Sequence, residues 1–152
     1  MTASRSARVD DGRRAALRLV VQPQHCIGCR ACEMACAFSH GSGGQPGASR
    51  CVTLTVGKEQ YVPMLCLQCE HAACVAACPV EAITLDRASG VIRVDPEICI
   101  RCMACTVACP FGNMHFDPAQ QLVHKCDLCA GCGDYPRCAM FCPTKCLTVE
   151  RG

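Results

Sequence analysis

The chain has 152 residues and a formal charge of +2, enough for one compact domain or two very small ones. Nineteen residues are cysteine, tryptophan is absent and aromatics make up only 4%, so the 51% apolar fraction contains little large side-chain surface and the fold needs cross-links. Apart from Arg13-Arg14, lysine and arginine are scattered singly, which argues against a nucleic-acid-binding stripe, and no run approaches the ~18 apolar residues that a membrane helix requires.

Residues 1–14 read as an arm without regular structure. The run that follows, Ala15-Ala16-Leu17 and Leu19-Val20-Val21, is interrupted by Arg18 and is too short for the hydrophobic region of a signal peptide. Arg13-Arg14 is a twin arginine with no export-length segment behind it. The expectation is a soluble chain in a reducing cytoplasm, where an odd number of thiols points to metal ligands before disulfides. Residues 17–21 are strand-like.

The first cysteine motif is Cys26-x2-Cys29-x2-Cys32-x3-Cys36, followed by a Gly/Ser-rich loop over residues 39–50 and a strand-like run opened by Cys51. The second is Cys66-x2-Cys69-x4-Cys74-x3-Cys78-Pro79. Residues 80–86 and 91–95, with alternating apolar positions around Arg87-Ala88-Ser89-Gly90, predict a β-hairpin. The third motif is Cys99-x2-Cys102-x2-Cys105-x3-Cys109-Pro110. A second hairpin is expected from residues 114–116 and 122–123 around Asp117-Pro118-Ala119-Gln120. The fourth motif is Cys126-x2-Cys129-x8-Cys138-x3-Cys142-Pro143, and residues 147–149 are again strand-like.

All four motifs open with C-x2-C and close with C-x3-C; only the middle gap varies. Zinc prefers two separated C-x2-C pairs that close one tetrahedron. Cysteines at i, i+3 and i+6 instead wrap three corners of a cubane, and the C-x2-C-x2-C-x3-C-P run is the bacterial [4Fe–4S] ferredoxin pattern, whose fourth cysteine serves the other cluster. Sixteen such ligands make four [4Fe–4S] clusters. The fold class expected is α+β: two nested bacterial-ferredoxin-like modules, with short helices and β-hairpins packed around the clusters.

Motifs two and three, joined by the 80–95 hairpin, form an inner module over residues 52–112. Motifs one and four form the outer module, residues 15–51 plus 113–152, whose strand-like ends could pair. The alternative is a tandem arrangement of one with two and three with four, which requires residues 37–65 to act as an intramodule connection. Under nesting, crossed ligation gives four sets. They are Cys26, Cys29, Cys32 and Cys142; Cys36, Cys126, Cys129 and Cys138; Cys66, Cys69, Cys74 and Cys109; and Cys78, Cys99, Cys102 and Cys105. Cys132 competes with Cys138, but the x3 spacing before Cys142-Pro143 favours Cys138. Cys51 and Cys146 read as small buried thiols. Each set closes a long loop, so metal binding is coupled to folding.

On the segments CIGCRACEMAC, CLQCEHAACVAACPVEAI, CIRCMACTVACPFG and KCDLC…CAMFCPTKCL, the chain resembles the four-cluster electron-transfer subunits of molybdenum and tungsten oxidoreductases. These include the iron–sulfur subunits of dimethylsulfoxide reductase, formate dehydrogenase, formate hydrogenlyase and carbon monoxide dehydrogenase systems. The chain also resembles the small polyferredoxin subunits that accompany aldehyde ferredoxin oxidoreductases. Arg101 stands where glycine is frequent in the family, and His71-Ala72-Ala73 replaces a Pro-rich gap. Neither removes a ligand.

The resemblance implies a non-catalytic subunit that conducts electrons between a Mo/W catalytic subunit and a second redox subunit or carrier. End-to-end self-association is a further possibility. A structural zinc protein and a cluster scaffold or donor are the competing classes. Nucleotide-binding and nucleophile-elbow motifs are absent, and the carboxylates are dispersed. The histidines near motifs, His25, His71 and His124, read as packing or surface residues. Arg30, Arg101 and Lys125 stand beside ligands, where a cation would raise a cluster potential, but each is expected to be a solvated surface group.

Overall fold

The computed structural model describes residues 17–133 and 135–151; the arm predicted over residues 1–14 lies outside the described residues. The four cysteine motifs share one local design. The C-x3-C half of each is helical, or begins in a helix and ends just beyond it. Helix α1 (Ala31–Ser39) carries Cys32 and Cys36, and α2 (Ala73–Ala76) carries Cys74 and ends before Cys78. In the same way α3 (Ala104–Ala108) carries Cys105 ahead of Cys109, and α4 (Arg137–Met140) carries Cys138 ahead of Cys142. Cysteines four apart on a helix lie one above the other on the same face. The proline after Cys78, Cys109 and Cys142 cannot continue a helix and ends each turn there.

The C-x2-C halves are loops with a repeated backbone signature. The residue before the second cysteine is left-handed in every motif: Gly28 (φ 70°), Gln68 (50°), Arg101 (60°) and Leu128 (55°). A second left-handed residue follows each Cys-Pro by two positions: Glu81 (56°), Gly112 (65°) and Lys145 (55°). Such conformations turn the chain tightly around a centre, at a cost of about 1–2 kcal/mol for each residue other than glycine. The Arg101 departure is therefore absorbed as local backbone strain, with the motif geometry unchanged.

Among the described residues, eight short strands form four two-stranded antiparallel ribbons. Strand β1 (Leu17–Val21) pairs with β8 (Leu147–Arg151), Leu19 opposite Val149, so the two ends of the described chain are hydrogen-bonded together. The two predicted hairpins form as β4 (Ile83–Asp86) with β5 (Val91–Val94), and β6 (His115–Asp117) with β7 (Leu122–His124). One hairpin was not anticipated: β2 (Val52–Thr55) with β3 (Tyr61–Met64). Pro63 pairs opposite Thr53 there, a placement open to proline because a two-stranded ribbon has only edges.

This hairpin lies against the first motif, where Glu33 Oε1 accepts the Thr53 N–H at 2.6 Å and Tyr61 covers Gly28. Helix α1 packs on α4, and α2 packs on α3. Among the described residues, ten of the twenty-one buried apolar side chains are cysteines. The aliphatic remainder, with Ile92 and Leu147 each 1% exposed, forms thin layers between the cysteines and the ribbons.

Candidate metal centres

The cysteines converge in groups drawn from distant parts of the chain. One hollow is lined by Cys66, Cys69, Cys74 and Cys109, with Ala72 and Met114 among its walls. A second is lined by Cys78, Cys99, Cys102 and Cys105 beneath Ile83 and Val123. Each hollow gathers three cysteines of one motif and one from its neighbour. Around α4, the Cys138 thiol is pushed up by burial and, next, by the charges of Cys126, Cys129 and Cys36, which act on it from across the fold. Cys26 and Cys142 meet at Cys146, whose thiol is likewise pushed up, first by burial and then by Cys142, with Cys26 adding to it. Cys29 is exposed.

Cys132 takes a different position. Its Sγ lies 3.6 Å from His40 Nδ1, and it borders an outward-facing groove with Met34, Phe38 and Phe141.

This donor set suits iron–sulfur cubanes. A zinc ion would draw its sulfurs to about 2.3 Å of one centre. Among the described residues, no three His, Cys, Asp or Glu side chains converge in that way. Thiolates that each bind a separate iron at the corner of a cubane stand further apart and enclose a volume, as the two hollows do.

The surroundings also provide hydrogen bonds to sulfur. Backbone N–H groups of Arg50, Ala82 and Arg137 point to the Sγ of Cys36 (3.2 Å), Cys78 (3.3 Å) and Cys129 (3.5 Å). Cys51, 2% exposed, is in hydrogen-bonding contact with the thiols of Cys32 and Cys36. Those contacts are the main reason both thiols are drawn below the ordinary thiol value despite burial, and the Cys51 thiol itself is driven up by the same two contacts. Cys142 and Cys146 have their sulfurs 3.6 Å apart. Burial pushes the Cys126 thiol up to about 12, so a metal bound there would have to displace its proton.

Two residues differ from the sequence reading or were missed by it. His40 was not singled out, yet its ring reaches Cys129 and Cys36. Those contacts raise it to about 9, Cys129 contributing most. Its signal was available: His40 follows Cys36 by four residues, one helical turn. Lys125 was expected on the surface and is instead 3% exposed, held by three oxygen acceptors, whereas Arg30 and Arg101 are exposed as expected.

Comparisons with known proteins agree with this donor chemistry. Residues 57–151 match the model of a 4Fe-4S dicluster domain, and residues 23–39 match that of a 4Fe-4S binding domain. The chain is 36% identical over 124 residues to the aliphatic sulfonate oxidoreductase polyferredoxin-like subunit of Pyrococcus furiosus, covering 82% of this chain and 70% of the relative. It is 31% identical over 156 residues to formate hydrogenlyase subunit 2 of Escherichia coli strain K12, covering 80% and 75% respectively. A solved structure of the BamBC active-site complex of benzoyl coenzyme A reductase with benzoyl-CoA has a chain of the same fold. Its TM-score is 0.51 at 24% identity, over 88% of this chain and 78% of that one. Among the described residues no helix is long and apolar enough to cross a membrane. With sulfurs gathered in hollows and a domain match over more than half its length, the chain carries multiple 4Fe–4S clusters and belongs to the 4Fe-4S dicluster domain family.

Proposed function

We propose that the chain is an electron-transfer subunit with four [4Fe–4S] clusters, a wire between a catalytic Mo/W oxidoreductase subunit and a second redox subunit or carrier. The observation that carries this reading is the exposure pattern of the sulfurs. Of the sixteen ligands in the four crossed sets, only Cys29 and Cys102 are exposed. They belong to two different sets, one in each module of the nested arrangement, and so mark two ends. Exposed apolar side chains share each of their motifs: Ile27, Met34 and Phe38 with Cys29, and Ile98, Ile100 and Val107 with Cys102. Apolar contact excludes water where a partner's redox centre approaches.

Support for nesting comes from the pairing of β1 with β8 and of α1 with α4, which ties motif one to motif four, while α2 against α3 ties motif two to motif three. The β2–β3 hairpin then counts with the outer module, which moves the start of the inner module from residue 52 to about the second motif. The two hollows lined by Cys66, Cys69, Cys74 and Cys109 and by Cys78, Cys99, Cys102 and Cys105 support crossed ligation in the inner module. The neighbours of Cys138 favour it over Cys132 as the ligand in the set with Cys36.

Bound cubanes each accept and return one electron. The protein's part is to bury them, to donate hydrogen bonds to sulfur, and to hold the sets in a fixed order, terms that position potentials within about −700 to +450 mV. The name of the Pyrococcus relative, a polyferredoxin-like subunit of an oxidoreductase, supports a catalytic partner, and the Mo/W identity rests on the family resemblance.

The test is anaerobic purification with its native partners. Near sixteen iron and sixteen sulfide per chain, spin–spin coupled signals on reduction, and a co-purifying metal-cofactor oxidoreductase are the expected results. A colourless zinc-loaded chain, or clusters passed readily to an apo-acceptor, would overturn the reading.

A further inference from the structure

Lys125 precedes the first cysteine of the fourth motif, and its side chain turns inward. Its Nζ donates to the carbonyl oxygens of Cys126 at 2.6 Å and Ile92 at 2.7 Å, and to Gln68 Oε1 at 3.2 Å. Three acceptors match the three N–H groups of an ammonium; a neutral amine would turn its lone pair onto one of these oxygens. The side chain is therefore a cation, 3% exposed, and no carboxylate among the described residues pairs with it. Neutral oxygens offset only part of the loss of water around a buried charge, which normally has a counter-charge nearby.

The clusters would supply a counter-charge. A cubane with four thiolates carries a net charge of roughly −2 when oxidised. Lys125 adjoins Cys126 of one proposed set and acts on Cys74 of another. Burial pushes both thiols up, and the Lys125 charge opposes it at each. Gln68 completes the junction. It lies between Cys66 and Cys69, its Nε2 donates to the Cys126 carbonyl at 2.7 Å, and its Oε1 also accepts the Ile92 N–H at 2.9 Å. One buried ammonium and one amide thus join motif two, strand β5 and motif four.

We infer that Lys125 is the internal cation of the wire: fixed between the Cys36/Cys126/Cys129/Cys138 set and the Cys66/Cys69/Cys74/Cys109 set, it raises the reduction potentials of those two clusters above what their thiolates alone would give. Lys125 acts through the clusters and is a positioning residue, and the inference rests on the four-cluster reading above. The sign follows from electrostatics. Adding an electron makes a cluster more negative, and a nearby positive charge stabilises that state.

The experiment is an anaerobic redox titration of the full holoprotein, each cluster followed by its electron paramagnetic resonance signal. In Lys125→Met, two of the four clusters should become harder to reduce. Their reduced-to-oxidised ratio at a fixed potential should fall about tenfold, a 59 mV drop for one electron. The other two should stay near their original values, and Lys125→Arg should keep all four. Lys125→Gln, which removes the charge but keeps a donor for the buried oxygens, should shift the same pair in the same direction and decides the matter if Lys125→Met fails to assemble. Four clusters present with no shift, or with an equal shift in all four, would overturn the role of Lys125 alone. Fewer than four clusters in the unmodified chain would overturn the four-cluster reading, and this inference with it.

Discussion

Replacing Gly28 with alanine places a methyl carbon 2.7 Å from the Cδ1 and Cε1 atoms of Tyr61, in a backbone held at φ 70°. Two costs add. The left-handed conformation costs an L-residue about 1–2 kcal/mol, and forcing a methyl group into a filled contact costs about 1–3 kcal/mol. A stiffer unfolded chain returns about 0.4–1 kcal/mol, so the net destabilisation is about 1–4.6 kcal/mol. The first cost is tolerable by itself, since Gln68, Arg101 and Leu128 adopt the same conformation in the other three motifs. The second belongs to this motif, because the β2–β3 hairpin presses Tyr61 onto the loop. A double-mutant cycle separates them. Tyr61→Ala removes the ring, so Gly28→Ala should cost about 1–3 kcal/mol less in the Tyr61→Ala background. The assay is anaerobic urea unfolding of the holoprotein, read by circular dichroism and by visible cluster absorption. Strict additivity of the two substitutions would refute the packing of Tyr61 on Gly28.

Other outcomes follow from the same geometry. Arg101→Gly relieves left-handed strain at an exposed position and should stabilise the holoprotein by about 0.5–1 kcal/mol, measured as a higher urea midpoint. Cys138→Ser should lower the iron content by about one cubane per chain, whereas Cys132→Ser should leave it unchanged; the reverse result in an iron and sulfide assay would reassign the ligand. Asn113→Ala removes the donor that satisfies the buried Leu65 carbonyl at 2.6 Å and should cost about 1–3 kcal/mol in unfolding experiments. Stripping iron with a chelator under anaerobic conditions should abolish the fixed tertiary structure, seen as loss of amide dispersion in NMR spectra, because ten of the twenty-one buried apolar residues among those described are cysteines.

Much of the candidate site was legible because its chemistry is local. The C-x2-C and C-x3-C spacings define a left-handed loop and a helical turn within a dozen residues, and each proline after the last cysteine marks where the turn ends. Two hairpins could be read from alternation around Gly- or Pro-containing turns. The β2–β3 hairpin escaped because Pro63 argues against a strand, and only the ribbon's freedom from a third strand admits it. His40 escaped because its distance from Cys129 in sequence hides the contact that raises its basicity. Lys125 escaped for the most general reason: lysines beside a loop motif are ordinarily solvated, and burial depends on acceptors supplied from Gln68 and Ile92, far away in the chain.

The order of residues alone determined that this molecule is organised by cysteine sulfur, because a chain poor in large apolar side chains and rich in regularly spaced thiols must take its interior from metal chemistry. Tertiary structure alone decided how exposed each candidate ligand is, which sulfurs Cys51 and His40 meet, and which cation turns inward. Ligand type and spacing are properties of short segments, whereas proximity, exposure and compensation of charge arise only when segments distant in the chain are packed together.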